Sequence, residues 1–197
     1  MQGIPALSVD RGTGLALGAR QCDSPNRDAR PPGATVDLIV VHGISLPPGR
    51  YDGDEVEAFF GNRLDAGRHP FYATIEGLRV SAHFYVRRDG RLVQFVPVHE
   101  RAWHAGLSRY GGRDACNDFS VGIELEGCDD EPYDDRQYPV LAGLIQALRR
   151  AYPTLGSTPP VGHSDIAPGR KTDPGPHFDW PRLNAALVRS PAVPAPR

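Results

Sequence analysis

The run "GHSDIAPGRKTDPG", residues 162–175, sets one histidine, two aspartates, an arginine and a lysine among three glycines and two prolines. His163 and Asp173 lie ten positions apart, and the prolines stiffen the chain between them. A third group of the same kind, His42, ends the apolar run "VDLIVVH" far away in sequence. Two imidazoles and one carboxylate are a ligand set for zinc that leaves a fourth position to water. Such a site polarises a carbonyl and lowers the pKa of the bound water, which suits hydrolysis of an amide. Seven histidines leave many other sets open, however. By spacing alone His163 also reads as a surface histidine, Asp173-Pro174-Gly175 as an ordinary turn, and Lys171 as a solvated cation.

Glu124 is the second candidate. In "FSVGIELEG" (119–127) Phe119, Val121, Ile123 and Leu125 alternate with Ser120, Gly122, Glu124 and Glu126. Glutamate is disfavoured in mid-strand. If its face looks into a cleft, Glu124 is a positioned general base for an activated water. If it looks at solvent, Glu124 and Glu126 are a polar stripe on an exposed sheet.

The elements that must position these groups form a mixed α/β pattern. Residues 36–42 read as a buried central strand with His42 at its carboxyl end. Residues 1–35 carry little periodicity and predict irregular structure with one short strand near 14–18. "DEVEAFFGNRL" (54–64) predicts a short helix capped by Asp52 or Asp54, and 79–98 a hairpin about Asp89–Gly90. The strongest helix spans 134–152, with Asp134 and Gln137 as a capping box and Leu141, Leu144, Ile145 and Leu148 as its apolar stripe. Pro139, about one turn in, predicts a slight irregularity. Residues 162–175 cannot form a regular helix or central strand, 179–190 predict a last short helix, and "PAVPAPR" a frayed Pro-rich tail. With no repeat and no linker, the expectation is one domain over 1–197: a central mixed sheet flanked by helices, its core at about 16–187.

Composition limits the partners. Lys and Arg number 22 against 24 Asp and Glu, for a formal charge of −2, which argues against nucleic acid. Cys22, Cys116 and Cys128 are an odd number and read as free thiols in a reducing compartment. No stretch reaches the ~20 apolar residues of a membrane span, and the first residues lack the basic and apolar pattern of a signal peptide. A cytoplasmic protein is expected.

Five blocks, "VVHGISLPPG", "LRVSAHFYVRRDG", "RAWHAGLS", "CNDFSVGIELEG" and "GHSDIAPGRKTDPGPHFDW", run in this order from about residue 16 to about 185. Together they resemble the cytosolic AmpD-type 1,6-anhydro-N-acetylmuramyl-L-alanine amidases, in the zinc amidase family shared with phage amidases and peptidoglycan recognition proteins. The resemblance implies that His42, His163 and Asp173 hold Zn2+, that Glu124 activates the water, and that Lys171 meets the oxyanion. It implies that Arg79 grips a substrate carboxylate, an alternative being an exposed arginine at a strand start. Trp103 and His104 then line the sugar end of the groove, although Trp103 also reads as a core aromatic. Asn117 and Asp118 belong to the cleft wall or a turn, and His83 to a structural or outer position beside the metal. Many relatives carry Asn where this chain has Gly43, so a hydrogen bond to substrate is missing or supplied by another residue. The expected reaction is cleavage of the amide between the lactyl group of anhydro-muramic acid and L-alanine, in peptidoglycan recycling. The expected partner is a soluble muropeptide and the expected state a monomer. The rivals are a non-catalytic muropeptide-binding module of the same fold and a zinc hydrolase acting on other N-acyl amino acids.

Overall fold

The computed structural model of the protein describes residues 7–189; the Pro-rich tail and Ser190 lie outside them. Six strands form the main sheet in the order Val161–Gly162, Leu38–Ile44, Ser120–Glu126, Phe84–Val86, Leu92–Gln94, Arg20–Gln21. The first four are mutually parallel. Leu92–Gln94 turns back antiparallel to Phe84–Val86 through the predicted hairpin, where Gly90 takes φ +86°, and Arg20–Gln21 runs parallel to Leu92–Gln94. The sheet is therefore mixed, and helices pack on it as the pattern of elements predicts. The N-terminal segment, expected to be irregular with one short strand near 14–18, holds four short strands among its described residues: Ser8–Val9 pairs with Ala16–Leu17 outside the main sheet, Arg20–Gln21 joins its edge, and Arg27–Ala29 pairs with Glu100–Ala102.

Every residue of Ser120–Glu126 is buried, so both faces of this strand are covered and the exposed-stripe reading falls. One face contributes Val121, Ile123 and Leu125, which join Ile39, Val41, Phe84 and Val86 against the helices Gln137–Ala151 and Trp180–Arg189. The stripe Leu141, Leu144, Ile145 and Leu148 is fully buried there, each such side chain contributing about 1.5–3 kcal/mol. The opposite face carries His42 and Glu124. Phe59, Phe60 and Tyr72, from the short helices Glu55–Phe60 and Pro70–Thr74, pack on it against Tyr85 and Phe95.

Four further local predictions change. The long helix begins at Gln137, so Pro139 lies in its first turn, where its missing N–H costs no bond. The capping box is half formed: Gln137 accepts the Asp134 N–H at 2.9 Å, but the Asp134 carboxylate takes the Arg136 N–H and its guanidinium. The helix expected at 54–64 is only Glu55–Phe60, with Asp54 at its start making no side-chain cap bond. Residues 163–166, expected to be irregular, form one helical turn closed by Ala167 N–H to His163 C=O at 3.0 Å.

Gln137 has no solvent exposure, and its amide also donates to Val86 C=O at 3.0 Å and Glu126 C=O at 3.2 Å. It thus fastens the helix start to two sheet strands. Gln137→Leu is expected to lower stability by about 2–4 kcal/mol, because it strands buried backbone groups. Urea unfolding should show a lower midpoint at unchanged slope, and an unmoved midpoint would refute this. Among the described residues no helix is long and apolar enough to cross a membrane, and Cys22, Cys116 and Cys128 are unpaired.

Candidate active site

The parallel register places Glu124 directly beside His42 on one face of the sheet. On the other side of Leu38–Ile44, Gly162 pairs with Val41, so His163 follows at the same level. The chain then turns through His163–Ile166 and returns. The Ser164 N–H donates to Asp173 C=O at 3.0 Å, which sets the Asp173 carboxylate against both imidazoles. Tyr133 holds the far side of this return by donating its hydroxyl to Pro174 C=O at 2.9 Å. The site thus sits at the carboxyl ends of adjacent parallel strands, where open α/β sheets form their crevices.

His42 Nδ1 and His163 Nδ1 are 3.0 Å apart, His163 Nδ1 and Asp173 Oδ2 3.0 Å, and His42 Nδ1 and Asp173 Oδ2 3.3 Å. This triangle has the spacing of three ligands on one metal ion, roughly 3–3.5 Å for bonds of about 2.0–2.2 Å. The proton count agrees. His163 Nε2 lies 3.2 Å from Ala105 C=O, a pure acceptor, so Nε2 carries the hydrogen and Nδ1 presents a lone pair. A nitrogen lone pair facing a carboxylate at 3.0 Å calls for a cation or a proton between them. Burial pushes the pKa of His42 down to about 4, which favours the neutral, ligating form. Burial pushes the Asp173 carboxyl up, but the facing imidazoles hold it below the usual carboxylate range. His42, His163 and Asp173 could therefore hold a metal ion.

Glu124 is 7% exposed, and its Oε2 has no hydrogen-bond partner. Burial, then the Asp173 charge, raise its pKa well above the ordinary value, while Lys171 works the other way. Glu126, two residues on, is also buried but accepts the Asp52 and Arg88 N–H groups at 3.0 and 2.9 Å. One glutamate of the stripe is thus tied into the backbone, and the other is held bare beside the triangle. Glu124, His163, Asp173 and the exposed Lys171 border a cleft of about 630 Å³, whose lining also includes the apolar Leu46, Phe59, Phe60, Phe71, Ile75 and Leu78. That volume is in the range of ligand-binding clefts.

The other residues named from the sequence are placed differently. Arg79 is exposed and lines a neighbouring hollow that shares Phe59, Ile75 and Leu78 with the cleft. Trp103 is half-buried, its indole N–H donating to Asp28 at 3.1 Å and its backbone N–H to Ser81 Oγ at 3.0 Å. His104 reaches the cleft wall, but both its ring nitrogens are taken by His42 and Ser120, which leaves neither for a sugar. Asn117 does not border the cleft: its Oδ1 accepts the backbone N–H groups of His104 and Ala105. Asp118 accepts Arg101 Nη1 at 2.6 Å. His83 is fully buried, its Nδ1 accepting the Gly122 N–H at 3.1 Å. A side chain at position 43 would project away from His42, since an added Cβ meets the Tyr133 hydroxyl at 2.1 Å. Gly43, itself on the cleft lining, therefore leaves room for the Tyr133 hydroxyl.

Sequence reasoning missed the scaffold behind the site. Arg30, in the irregular N-terminal segment, donates to the carbonyls of Asn117, Asp118, Val98 and Ser120 at 2.9–3.1 Å. Burial lowers its pKa to about 10. No local pattern marks it. Arg170, inside the quoted run, donates to Ala105 and Leu107 carbonyls at 2.6 and 2.7 Å.

A family model for N-acetylmuramoyl-L-alanine amidase matches residues 32–176. The chain is 54% identical over 176 residues to the 1,6-anhydro-N-acetylmuramyl-L-alanine amidase AmpD of Escherichia coli (strain K12), covering 89% of this chain and 96% of that one. A crystal structure of a selenomethionine AmpD derivative aligns with TM-score 0.87 at 50% identity, over 91% of this chain and 98% of the other. AmpDh3 from Pseudomonas aeruginosa, solved with an anhydromuramic pentapeptide, aligns with TM-score 0.57 at 29% identity, over 81% and 63%. Sequence agreement over this length, on a fold that gathers two histidines, an aspartate and a bare glutamate at one cleft, has a single reading: the chain belongs to the N-acetylmuramoyl-L-alanine amidase family.

Proposed function

We propose that this amidase uses a zinc ion held by His42, His163 and Asp173 to hydrolyse the amide between the lactyl group of 1,6-anhydro-N-acetylmuramic acid and L-alanine. The observation that carries the reading is the 3.0–3.3 Å donor triangle with an unpartnered buried carboxyl beside it, in the wall of an open cleft. Zinc in such a set supplies Lewis acidity and activates water at neutral pH. Glu124 Oε2 takes the proton of the attacking water and returns it to the alanine nitrogen as the C–N bond breaks. The Lys171 ammonium meets the negative charge that develops on the carbonyl oxygen. Exposed Arg79 reaches a carboxylate of the stem peptide from the rim, a task suited to a guanidinium fork. Trp103, beside Ser81 of the cleft, is proposed for the sugar end. The substrate named for AmpD supports this choice of bond, and so does the anhydromuramic pentapeptide bound by AmpDh3. The unit is proposed to be one domain that acts as a monomer in the cytoplasm, where its three unpaired thiols would stay reduced.

The test is a substrate panel of soluble anhydro-muropeptide, ordinary muropeptide and polymeric wall. The zinc-loaded protein should release free peptide fastest from the first, lose this activity to a chelator, and regain it with added zinc. Binding of muropeptide without peptide release would instead make the protein a recognition module. Turnover of simple N-acyl amino acids that lack the sugar would point to a broader hydrolase.

A further inference from the structure

Ser120, buried at the start of the central strand, donates its one hydroxyl proton to Cys116 C=O at 2.5 Å, because a carbonyl can only accept. Its Oγ then has only lone pairs to offer His104 Nε2 at 3.1 Å, so that nitrogen carries a hydrogen. In a neutral ring His104 Nδ1 is then bare, and it lies 2.9 Å from His42 Nε2. The hydrogen of that contact must belong to His42 Nε2. His42 Nδ1 is left with its lone pair, aimed at His163 Nδ1 and Asp173 Oδ2. Reversing the chain at any point would put the proton on His42 Nδ1 and remove one donor from the triangle.

The surroundings are shaped for this ring. An added Cβ at Gly122 would lie 2.4–2.7 Å from three atoms of the His104 ring, so only glycine lets the imidazole rest against the strand. The His104 and Ala105 N–H groups both donate to Asn117 Oδ1, at 3.1 and 2.8 Å, which holds the ring's own backbone. Ala105 in turn offers the carbonyl that fixes His163.

We propose that His104 is a positioning residue: the relay Cys116 C=O, Ser120 hydroxyl, His104 imidazole locks His42 in the tautomer that turns Nδ1 toward the metal. This rests on the zinc reading above. Outer hydrogen-bond partners of this kind typically account for 10–100-fold of metal affinity, and here the partner of the ligand is a second imidazole rather than a carboxylate.

The experiment measures zinc affinity at fixed pH, by competition with a chromogenic chelator, in the full-length protein and three variants. Ser120→Ala frees His104 to take the opposite tautomer and should weaken zinc binding by roughly 10-fold or more, two residues removed from the ion. His104→Leu should weaken it by about 10–100-fold. His104→Asn puts Oδ1 where Nδ1 was, as an acceptor for His42 Nε2–H, and should recover most of that loss. A role in packing alone predicts the reverse order, since Leu fills the space better than Asn. Nitrogen NMR of the metal-free protein should show His42 protonated at Nε2 in the parent and shifted toward Nδ1 in Ser120→Ala. Tight zinc binding by the parent with unchanged affinity in Ser120→Ala would overturn the relay. A parent that fails to bind zinc would instead overturn the metal reading on which it rests. Ser120→Ala removes a single oxygen, so the test survives if His104→Leu does not fold.

Discussion

Glu124→Gln is expected to reduce peptide release by roughly 10²–10⁴-fold while zinc binding and fold are kept, the range attributed to a positioned general base. Steric change is minimal, and Gln cannot take a proton from water. The stability of the variant gives an independent readout. Burial, helped by Asp173, raises the Glu124 pKa well above its ordinary value, so the folded protein holds this proton more tightly than the unfolded chain. The sign follows: in the metal-free protein the folded state loses stability as pH rises above the ordinary glutamate range and toward the raised value. The Gln variant has no such loss, and its metal-free form should melt at or above the parent at neutral pH. Peptide release at the parental rate would remove Glu124 from the chemistry. A variant that melts far below the parent would show the carboxyl to be a structural partner.

Glu124 and Glu126 show where the sequence stops being informative. Their alternation with Val, Ile and Leu places both on one face, as found, but the pattern is the same whether that face meets solvent or a cleft. The distinction arises from Asp52 and Arg88, whose N–H groups satisfy one glutamate only, and these come from distant loops. The triangle has the same character. A strand carrying His42 was legible from the apolar run before it, although it runs two residues past His42 to Ile44, but the meeting with His163 depends on Val161–Gly162 pairing beside that strand, which two residues cannot announce. The motif blocks carried this information because they imply the topology as a whole. They named His104 and Asn117 without showing the direction of either side chain: His104 does reach the cleft wall, and Asn117 sits in the turn Cys116–Asp118. A glycine one strand away, Gly122, decides that the His104 ring lies behind His42. The helical turn at 163–166 escaped because Gly162 and Pro168 flank it closely. Its start is held by the Gly162 N–H donating to the Asp165 carboxylate at 2.7 Å, a bond that composition does not foresee.

Asp173→Ala is expected to lose zinc more completely than any change in the relay, by well over the ~10–100-fold of an outer-shell substitution, and to abolish hydrolysis with it. The reason is charge as much as geometry. His42 and His163 offer neutral nitrogens, and Asp173 is the one anionic member of the triangle, its Oδ2 3.3 Å from His42 Nδ1 and 3.0 Å from His163 Nδ1. Removing it leaves two imidazoles to hold a divalent cation in a buried setting where uncompensated charge is costly. The fold should survive, because the loop is anchored through backbone groups that the substitution leaves in place: Asp173 C=O with Ser164 N–H, and Pro174 C=O with Tyr133. Asp173→Asn separates the two contributions. It keeps an oxygen donor at the same position without the charge, so its zinc affinity should fall between parent and Ala. Metal content after dialysis against a weak chelator, with circular dichroism to verify folding, reads out all three proteins. Full zinc retention by a folded Asp173→Ala would mean that the ion is held elsewhere, and the roles assigned to Glu124 and the His104 relay would lose their common centre.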